Sequence, residues 1–178
     1  MRHRRIKFEE GESGFLHVYN RVAGNTGEFP FGDVEKQEFI RRLRALNAYY
    51  AVEVLAAQTM GNHFHALIYV PAQPPSREEA AERYRRYYGG KRTMQPNSPA
   101  SERLRHKLRD VSEFMHDLQQ PYSRGFNRTR PIRRRGHLWG ERFRHTLLEP
   151  GLAVWDCWKY IEMNPVRAHM VENPADYR

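Results

Sequence analysis

The chain is predicted to fold as an α+β protein, a ferredoxin-like sandwich with an antiparallel sheet of four to five strands and helices packed on it. Short segments with alternating or continuous apolar residues predict strands, and segments with helical spacing separate them. Turn residues divide these segments in the order strand, helix, strand, strand, helix, strand, helix. The first six elements match a ferredoxin-like sandwich, whose helices are expected on one face of the sheet.

The N-terminal part of the chain is predicted to supply the first strand, the first helix and a β-hairpin. Residues 14–21 form the first strand, and a stretch that contains glycine and proline then marks a loop. A helix is predicted over residues 33–48, with Asp33 as its N-cap. Residues 50–58 alternate as the second strand, and Gly61-Asn62 makes a tight turn into the third.

The C-terminal part is predicted to hold two further helical regions, the fourth strand and a final helix. Residues 77–88 and 102–118 have helical spacing, with a polar, proline-bearing loop between them. Residues 142–148 alternate as the fourth strand. A helix from about Leu152 is expected to end at Asn164, because the following proline disfavours helical geometry there.

Length and composition limit the class of protein. The 178 residues suffice for one domain with a single core. The formal net charge of +9 favours a polyanionic partner, although an inert basic surface would have the same composition. The single cysteine, Cys157, excludes an internal disulfide and a cysteine-rich zinc site, and is expected only to pack. No apolar stretch reaches the ~18–20 residues of a membrane span, so we expect a cytosolic protein without a membrane partner.

Two histidines one residue apart, His63 and His65, begin the predicted third strand. Side chains alternate along a strand, so both imidazoles point to one face while Phe64 points to the other. Two neutral imidazoles can bind a divalent metal and leave it with open coordination positions, which is typical of a catalytic metal site. The alternative is a strand with two histidines that are held only by hydrogen bonds.

A second motif, Tyr160-Ile161-Glu162-Met163-Asn164-Pro165, closes the predicted final helix. Tyr160 and Asn164 are four residues apart and therefore share one helix face. A phenol and a carboxamide in this arrangement can act as a nucleophile beside a third metal ligand. Trp158 and Ile161 point elsewhere and are expected to pack the helix onto the sheet. The alternative is a tyrosine that merely anchors a helix end.

Together these motifs resemble the HUH single-tyrosine transposases, in particular the REP-associated tyrosine transposases and their insertion-sequence relatives. The similarity covers most of residues 13–177, and its segments stand in the family's order. They are Phe15–Arg21, Met60–His65, Tyr122–Phe143 and Tyr160–Ala168. The resemblance implies the HUH endonuclease fold in one domain over residues 1–178, with a family-variable helical insertion at about 76–110. That insertion could guide DNA, contact a partner or cover a sheet edge.

The resemblance also implies a reaction. Tyr160 would be the nucleophile of a DNA transposase that cleaves single-stranded DNA, giving a 5′-phosphotyrosine and a free 3′ hydroxyl before strands are rejoined. His63, His65 and Asn164 would hold a divalent metal, Mg²⁺ or Mn²⁺. The expected partner is single-stranded DNA that forms a hairpin, read by a monomer or a homodimer in the bacterial cytosol, associated with the nucleoid.

The basic segment within 122–144 is the expected DNA-binding surface, and the arginines near the N-terminus (Arg2, Arg4 and Arg5) could add attraction. Its arginines would neutralise phosphates, and its aromatic residues, Tyr122, Phe126, Trp139 and Phe143, would stack on bases. The alternative is that the rings belong to the core and the arginines are only solvated. The DNA-binding residues that we predict are Arg21, Arg124, Asn127, Arg128, Arg133, Arg134, Arg135, Trp139, Arg142 and Arg144.

Two other functions remain open at this point. One is an HUH enzyme that only nicks, such as a replication initiator or relaxase. The other is a catalytically silent protein that binds nucleic acid through the same basic surface. The Tyr-Ile-x-x-Asn-Pro-Val segment and the small size of the chain favour the transposase, and every expected catalytic residue is present.

Overall fold

The architecture is α+β, as predicted, and rests on a four-stranded antiparallel sheet. A computed structural model describes residues 5–24, 28–129 and 136–177. The strand order is β2-β3-β1-β4. The strands are β1 Gly14–Arg21, β2 Glu53–Thr59, β3 His63–Val70 and β4 Arg144–Leu148. The helices are α1 Asp33–Tyr49, α2 Arg77–Tyr87, α3 Pro99–Arg109, α4 Val111–Thr129, α5 Leu152–Glu162 and α6 Asn164–Arg167, followed by a 3₁₀ turn at Pro174–Asp176.

The register of the central strands brings polar residues into rows across the sheet. Strand β1 lies between β3 and β4 and is antiparallel to both. Tyr19 stands opposite His65 on one side and opposite Arg144 on the other. Arg21 stands opposite His63. Because alternate residues of a strand share a face, these five side chains lie on the same face of the sheet.

The two faces of the sheet carry helix layers of very different size. On one face Val18, Phe64 and Ile68 pack into a large core with α1 and α4. On the other face Ile161 and Cys157 of α5 pack on a small cluster that contains Leu67 of β3. The prediction that the helices share one face is therefore wrong for α5. The alternation of side chains along β3 explains the result. Leu67 points to the face opposite Phe64 and Ile68, so a helix on that face is required to bury it.

Residues 76–110 contribute to the large core. Ala80 of α2 and Leu104 and Leu108 of α3 are buried in the same cluster as the residues of α1 and α4. Helix α2 also supports the end of α1, because the Arg83 guanidinium donates to the backbone oxygen of Tyr50 at 2.7 Å. Within the structure this segment extends the helical layer behind the sheet.

The single helix predicted over residues 102–118 is wrong. The chain breaks at Asp110, whose carboxylate accepts the backbone N–H of Ser112 at 2.6 Å and so starts a new helix. That helix, α4, continues through Pro121 to Thr129. Part of the segment that was assigned to a basic DNA-binding region is therefore helical, and α4 has a continuous apolar face that includes Leu118, Tyr122 and Phe126.

Three predicted boundaries also move. Helix α1 is capped at Gly32, whose N–H donates to the side chain of Glu35 at 2.9 Å, and Asp33 is its first residue. Strand β2 begins at Glu53, since Tyr50 is buried and donates its hydroxyl to Asp117 at 2.6 Å. Strand β4 begins at Arg144 instead of residue 142. The predicted loop residues 25–27 lie outside the described ranges.

No helix within 5–24, 28–129 or 136–177 has the length and apolar character that crossing a bilayer requires.

Helix α5 should depend strongly on its one fully buried residue. Ile161 has 0% of its surface exposed, whereas Leu152 at the start of the same helix is 81% exposed. We expect Ile161→Ala to lower the free energy of unfolding by about 2–4 kcal/mol, because it leaves a cavity between α5 and the sheet. Leu152→Ala is the matched control and should change it by less than about 0.5 kcal/mol. Urea denaturation measures both; equal effects would contradict this packing.

Candidate active site

A cavity of about 700 Å³ opens on the face of the sheet that carries α5. It brings together five of the predicted site residues, contributed by β1, β3, β4 and α5: His63, His65, Tyr160, Arg21 and Arg144. The other described residues that line it are Tyr19, Asn20, Val22, Ala23, Gly24, Gly140 and Glu141.

The two imidazoles of the cavity stand edge to face, with ring centroids 5.1 Å apart. Each uses its Nδ1 in a hydrogen bond: His63 with the Asn62 Oδ1 at 2.8 Å, and His65 with the His17 Nε2 at 3.0 Å. The hydrogen bonds expected for two histidines without a catalytic role are thus present. They occupy only one nitrogen of each ring, so both Nε2 atoms stay available to a ligand.

Burial keeps this pair neutral at pH 7. Burial, together with the nearby Arg21 guanidinium, lowers the pKa of His63 from 6.5 to about 4. Burial, together with repulsion from His17 and His63, lowers the pKa of His65 to about 3. A neutral imidazole keeps a lone pair on one nitrogen, which is the form that binds metals.

The same shifts predict acid sensitivity of the fold. In the unfolded chain these histidines take up protons near pH 6.5, whereas in the folded chain they do so only near pH 4 and pH 3. The unfolded state therefore binds more protons as the pH falls below 6.5, and the free energy of unfolding should decrease from there toward pH 4. Urea midpoints at pH 7 and pH 5 measure the loss. A variant with His63→Gln and His65→Gln should lose less; an equal loss would contradict the assignment.

Tyr160 reaches the histidines from α5 of the same chain. Its ring meets the His65 ring edge to face, with centroids 5.3 Å apart, and lies 6.0 Å from the His17 ring. The residue is 36% exposed and lines the cavity. The Arg167 guanidinium lies 5.5 Å from the ring centroid. An exposed phenol beside two neutral imidazoles is a suitable arrangement for nucleophilic attack.

The packing of α5 is only partly as predicted. Ile161 does bury the helix on the sheet, but Trp158 does not. Trp158 is 37% exposed and stacks on Trp155 at a centroid distance of 5.8 Å. Its position on the helix lies to the side of the buried stripe formed by Cys157 and Ile161.

Asn164 is buried, but it does not line the cavity. It is the first residue of the short helix α6, which follows α5 after Met163. The carboxamide as a third metal ligand stays a prediction. Across the described ranges, no group of three or more His, Cys, Asp or Glu side chains is placed to hold a metal ion. A metal here would therefore depend on the imidazole pair together with amide, water or substrate oxygens.

The predicted DNA-binding residues fall into two places. Arg21 and Arg144 line the cavity, and Arg144 also pairs with Glu141 at 2.8 Å. A second groove, of about 930 Å³, contains Arg124, Asn127, Trp139 and Arg142. Gly140 and Glu141 line both spaces, so the groove adjoins the cavity.

The remaining basic residues are more scattered. Arg128 is exposed in the last turn of α4. Arg5 lies in the groove with its guanidinium 3.5 Å from the centroid of the Phe143 ring. The predicted residues Arg133, Arg134 and Arg135, and also Arg2 and Arg4, lie outside the described residues.

The aromatic rings of the basic segment belong mainly to the core, as the alternative interpretation held. Tyr122, Phe126 and Phe143 are each less than 10% exposed. Trp139 is partly buried, and its ring packs 5.5 Å from Phe64. The spacing of Tyr122 and Phe126 on α4 explains this outcome, because residues four apart share the apolar face of a helix. These rings stabilise the fold instead of presenting free faces to bases.

Three side chains at the site were not identified from the sequence. His17 contacts both His65 and Tyr160, Tyr19 lies between His65 and Arg144, and Asn62 supports His63. The alternation of β1 places residues 17, 19 and 21 on one face. That signal becomes informative only when the pairing of β1 with β3 is known. Asn62 was interpreted only as a turn residue.

Comparison with known proteins supports the fold. The solved structure of a REP-associated tyrosine transposase bound to a REP hairpin is similar, with a TM-score of 0.56 and 13% sequence identity. The similarity covers 99% of this chain and 80% of that one. At this identity the likeness shows the fold, and it agrees with the predicted α+β architecture. No protein-family model and no curated protein matches the chain.

Proposed function

We propose that the chain is a transposase-type enzyme that cleaves and rejoins single-stranded DNA, with Tyr160 as its nucleophile. The observation that carries the proposal is the position of the Tyr160 ring, 5.3 Å from the His65 ring and on the wall of the cavity that His63 also lines. The phenol and the imidazoles belong to the same chain here, so we propose that a single chain can form the site. Because the similar solved structure is bound to a hairpin, we propose a hairpin-forming single strand as the substrate.

The reaction that we propose conserves the phosphodiester bond energy. The Tyr160 hydroxyl loses its proton as its oxygen forms a bond to phosphorus. The bond from phosphorus to the 3′ oxygen breaks, and the leaving oxygen takes up a proton to become a free 3′ hydroxyl. The 5′ phosphate is then joined to tyrosine. A 3′ hydroxyl can attack this phosphotyrosine in the reverse sense, which rejoins a strand and releases the phenol without ATP.

We propose that the site holds a divalent metal, for which the imidazole pair that lines the cavity supplies two donors. The Nε2 atoms of His63 and His65 would hold Mg²⁺ or Mn²⁺, and the Asn164 carboxamide is the third protein ligand that we propose. When bound, such an ion neutralises charge on the scissile phosphate and polarises it toward attack. A phenol that keeps its proton is a weak nucleophile, so the attack requires this activation.

Arg21 and Arg144, on the two strands that follow β3 across the sheet, are placed to bind phosphates beside the histidines. Both line the cavity, in the two rows that cross the sheet through His63 and His65. Each guanidinium can neutralise one phosphate and release counterions on binding.

Replacing both arginines should weaken DNA binding in a salt-dependent way. For Arg21→Gln with Arg144→Gln, we expect the slope of log affinity against log salt to fall by roughly 1.4, about 0.7 for each phosphate contact to a single strand. The matched control is Arg85→Gln with Arg86→Gln, which removes the same charge from α2, where both residues pair with Glu82. Fluorescence anisotropy over a salt series measures the slopes. Equal slopes for the two variants would place the DNA path elsewhere.

The direct test of the function is formation of a covalent adduct. The protein is mixed with a labelled hairpin oligonucleotide that has single-stranded flanks, in the presence of Mn²⁺, and separated under denaturing conditions. We expect a labelled band that resists denaturation, and joined products when a second strand is supplied. Adduct without joined products would indicate an enzyme that only nicks. Binding without any adduct would indicate a silent binding protein and would contradict the proposal.

A further inference from the structure

The Nδ1 atoms of His63 and His65 each form a hydrogen bond with a side chain that was not part of the predicted site. We propose that Asn62 and His17 are positioning residues, which fix His63 and His65 in the tautomer that directs both Nε2 lone pairs to a divalent cation. The inference rests on the proposed function, because it concerns the metal-binding half of the same site. It assigns roles to one residue of β1 and one of the turn before β3, neither of which is among the described residues that line the cavity.

Asn62 determines where the proton of His63 lies. Its Nδ2 donates to the backbone oxygen of Glu28 at 3.0 Å, which fixes the orientation of the carboxamide. The Oδ1 is thereby turned toward His63 Nδ1, at 2.8 Å. A carboxamide oxygen only accepts hydrogen bonds, so the His63 Nδ1 must carry the proton. A neutral imidazole has one ring proton, so the Nε2 of His63 is left with a lone pair.

Asn62 is well placed to hold this geometry. Its residue is only 7% exposed, and both ends of its carboxamide have a protein partner. The contact therefore does not exchange readily with water. A hydrogen bond to the ring nitrogen that does not bind the metal is the usual way in which proteins orient metal-binding histidines.

His17 plays the corresponding part for His65, with one additional consequence. The His17 Nε2 and the His65 Nδ1 are 3.0 Å apart, and a single proton lies between them. If His65 donates that proton, its Nε2 has a lone pair for the cation. If His17 donates it, the proton of His65 must lie on Nε2 and blocks coordination. Cation binding thus requires His17 to accept, with its own proton on Nδ1.

A purely structural role for His17 would need no defined proton position. His17 contacts Tyr19 and Tyr160, at centroid distances of 5.3 Å and 6.0 Å, so its ring also fills space against two residues that line the cavity. The two roles make different predictions for substitutions. Glutamine retains an acceptor on a chain of similar reach, whereas leucine fills the space without any acceptor.

Calorimetric titration of the protein with Mn²⁺ alone, without DNA, separates these roles. We expect His17→Leu to weaken Mn²⁺ binding by about 10- to 100-fold, and His17→Gln to remain within about threefold of the unchanged protein. His106→Leu on α3, an exposed histidine that contacts Glu102, is the matched control and should not alter binding. Unchanged affinity in a folded His17→Leu protein would overturn the proposal, and so would an unchanged protein that does not bind Mn²⁺.

A second measurement tests the tautomers without any substitution. Nitrogen-15 NMR of the imidazoles, at neutral pH in the unchanged protein, should show His63 and His65 protonated at Nδ1. Protonation at Nε2 in either ring would overturn the proposal, even if a His17 variant failed to fold. An adduct that fails to form while Mn²⁺ binds and both tautomers are as expected would count against the proposed function and leave this inference standing.

Discussion

Tyr160→Phe is expected to abolish the covalent protein–DNA adduct, with a loss of at least about 10³-fold in the rate of cleavage. The substitution removes one oxygen atom, the only atom of the side chain that can bond to phosphorus. Because the side chain is 36% exposed and its ring packing is retained, we expect the stability and the DNA affinity to be unchanged. Adduct formation and anisotropy, measured on the same preparations, test both statements.

The cavity offers a matched control for that experiment. Tyr19 is a second phenol on the same wall, and its ring lies 5.7 Å from the His65 ring, close to the distance found for Tyr160. Tyr19→Phe should leave the adduct intact. An adduct that survives Tyr160→Phe would show that another group is the nucleophile. Its loss in Tyr19→Phe alone would move the reaction from α5 to β1.

Replacing both histidines of the pair by alanine should remove metal-dependent cleavage. His63→Ala with His65→Ala takes away the two imidazole nitrogens that face the cavity, and we expect cleavage in Mn²⁺ to fall by at least about 10²-fold. Oligonucleotide cleavage and Mn²⁺ titration give the two readouts. His106→Ala, on the remote helix α3, should change neither.

Thermal unfolding without metal distinguishes a catalytic pair from a structural one. His63 is only partly buried, and His65, although 8% exposed, also lines the cavity that opens to solvent. We therefore expect a modest decrease in the melting temperature of the double variant. If the double variant instead unfolds at the assay temperature, loss of folding would explain the lost cleavage. The histidines would then be structural, and the enzymatic proposal would fail.

The sequence predicted most of the fold because local patterns determine it. The alternation in β3 and the apolar stripe of α1 mark their elements directly. The break at Asp110 was missed, because helical spacing continues across it and a capping carboxylate also occurs within helices. The side of the sheet that α5 occupies was also missed. It depends on which face of the sheet Leu67 points to, and that face is defined only once the strands are paired.

The candidate residues that the sequence indicated are those whose relation lies within one short segment of the chain, and their roles stay predictions. His63 and His65 share a face because they are two residues apart, and Tyr160 was identified from its own motif. The support from His17 could not be predicted in the same way, because His17 and His65 are 48 residues apart and meet only through the register of β1 and β3. The aromatic residues of the basic segment were misleading for a related reason. Interleaved arginines and rings are typical of both a DNA surface and an amphipathic helix.

The unequal cover on the two sides of the sheet affects how the proposed nucleophile can move. Helix α5 is held by a small cluster around Ile161 and Leu67, while α1 and α4 share the main core. Detaching α5 exposes far less apolar surface than global unfolding, so it should be among the first parts of the chain to open. Gly151, directly before α5, has a φ of 101°, a left-handed conformation that glycine adopts without strain. Opening of α5 would move the Tyr160 ring away from His65 while the sheet and its histidines stay in place.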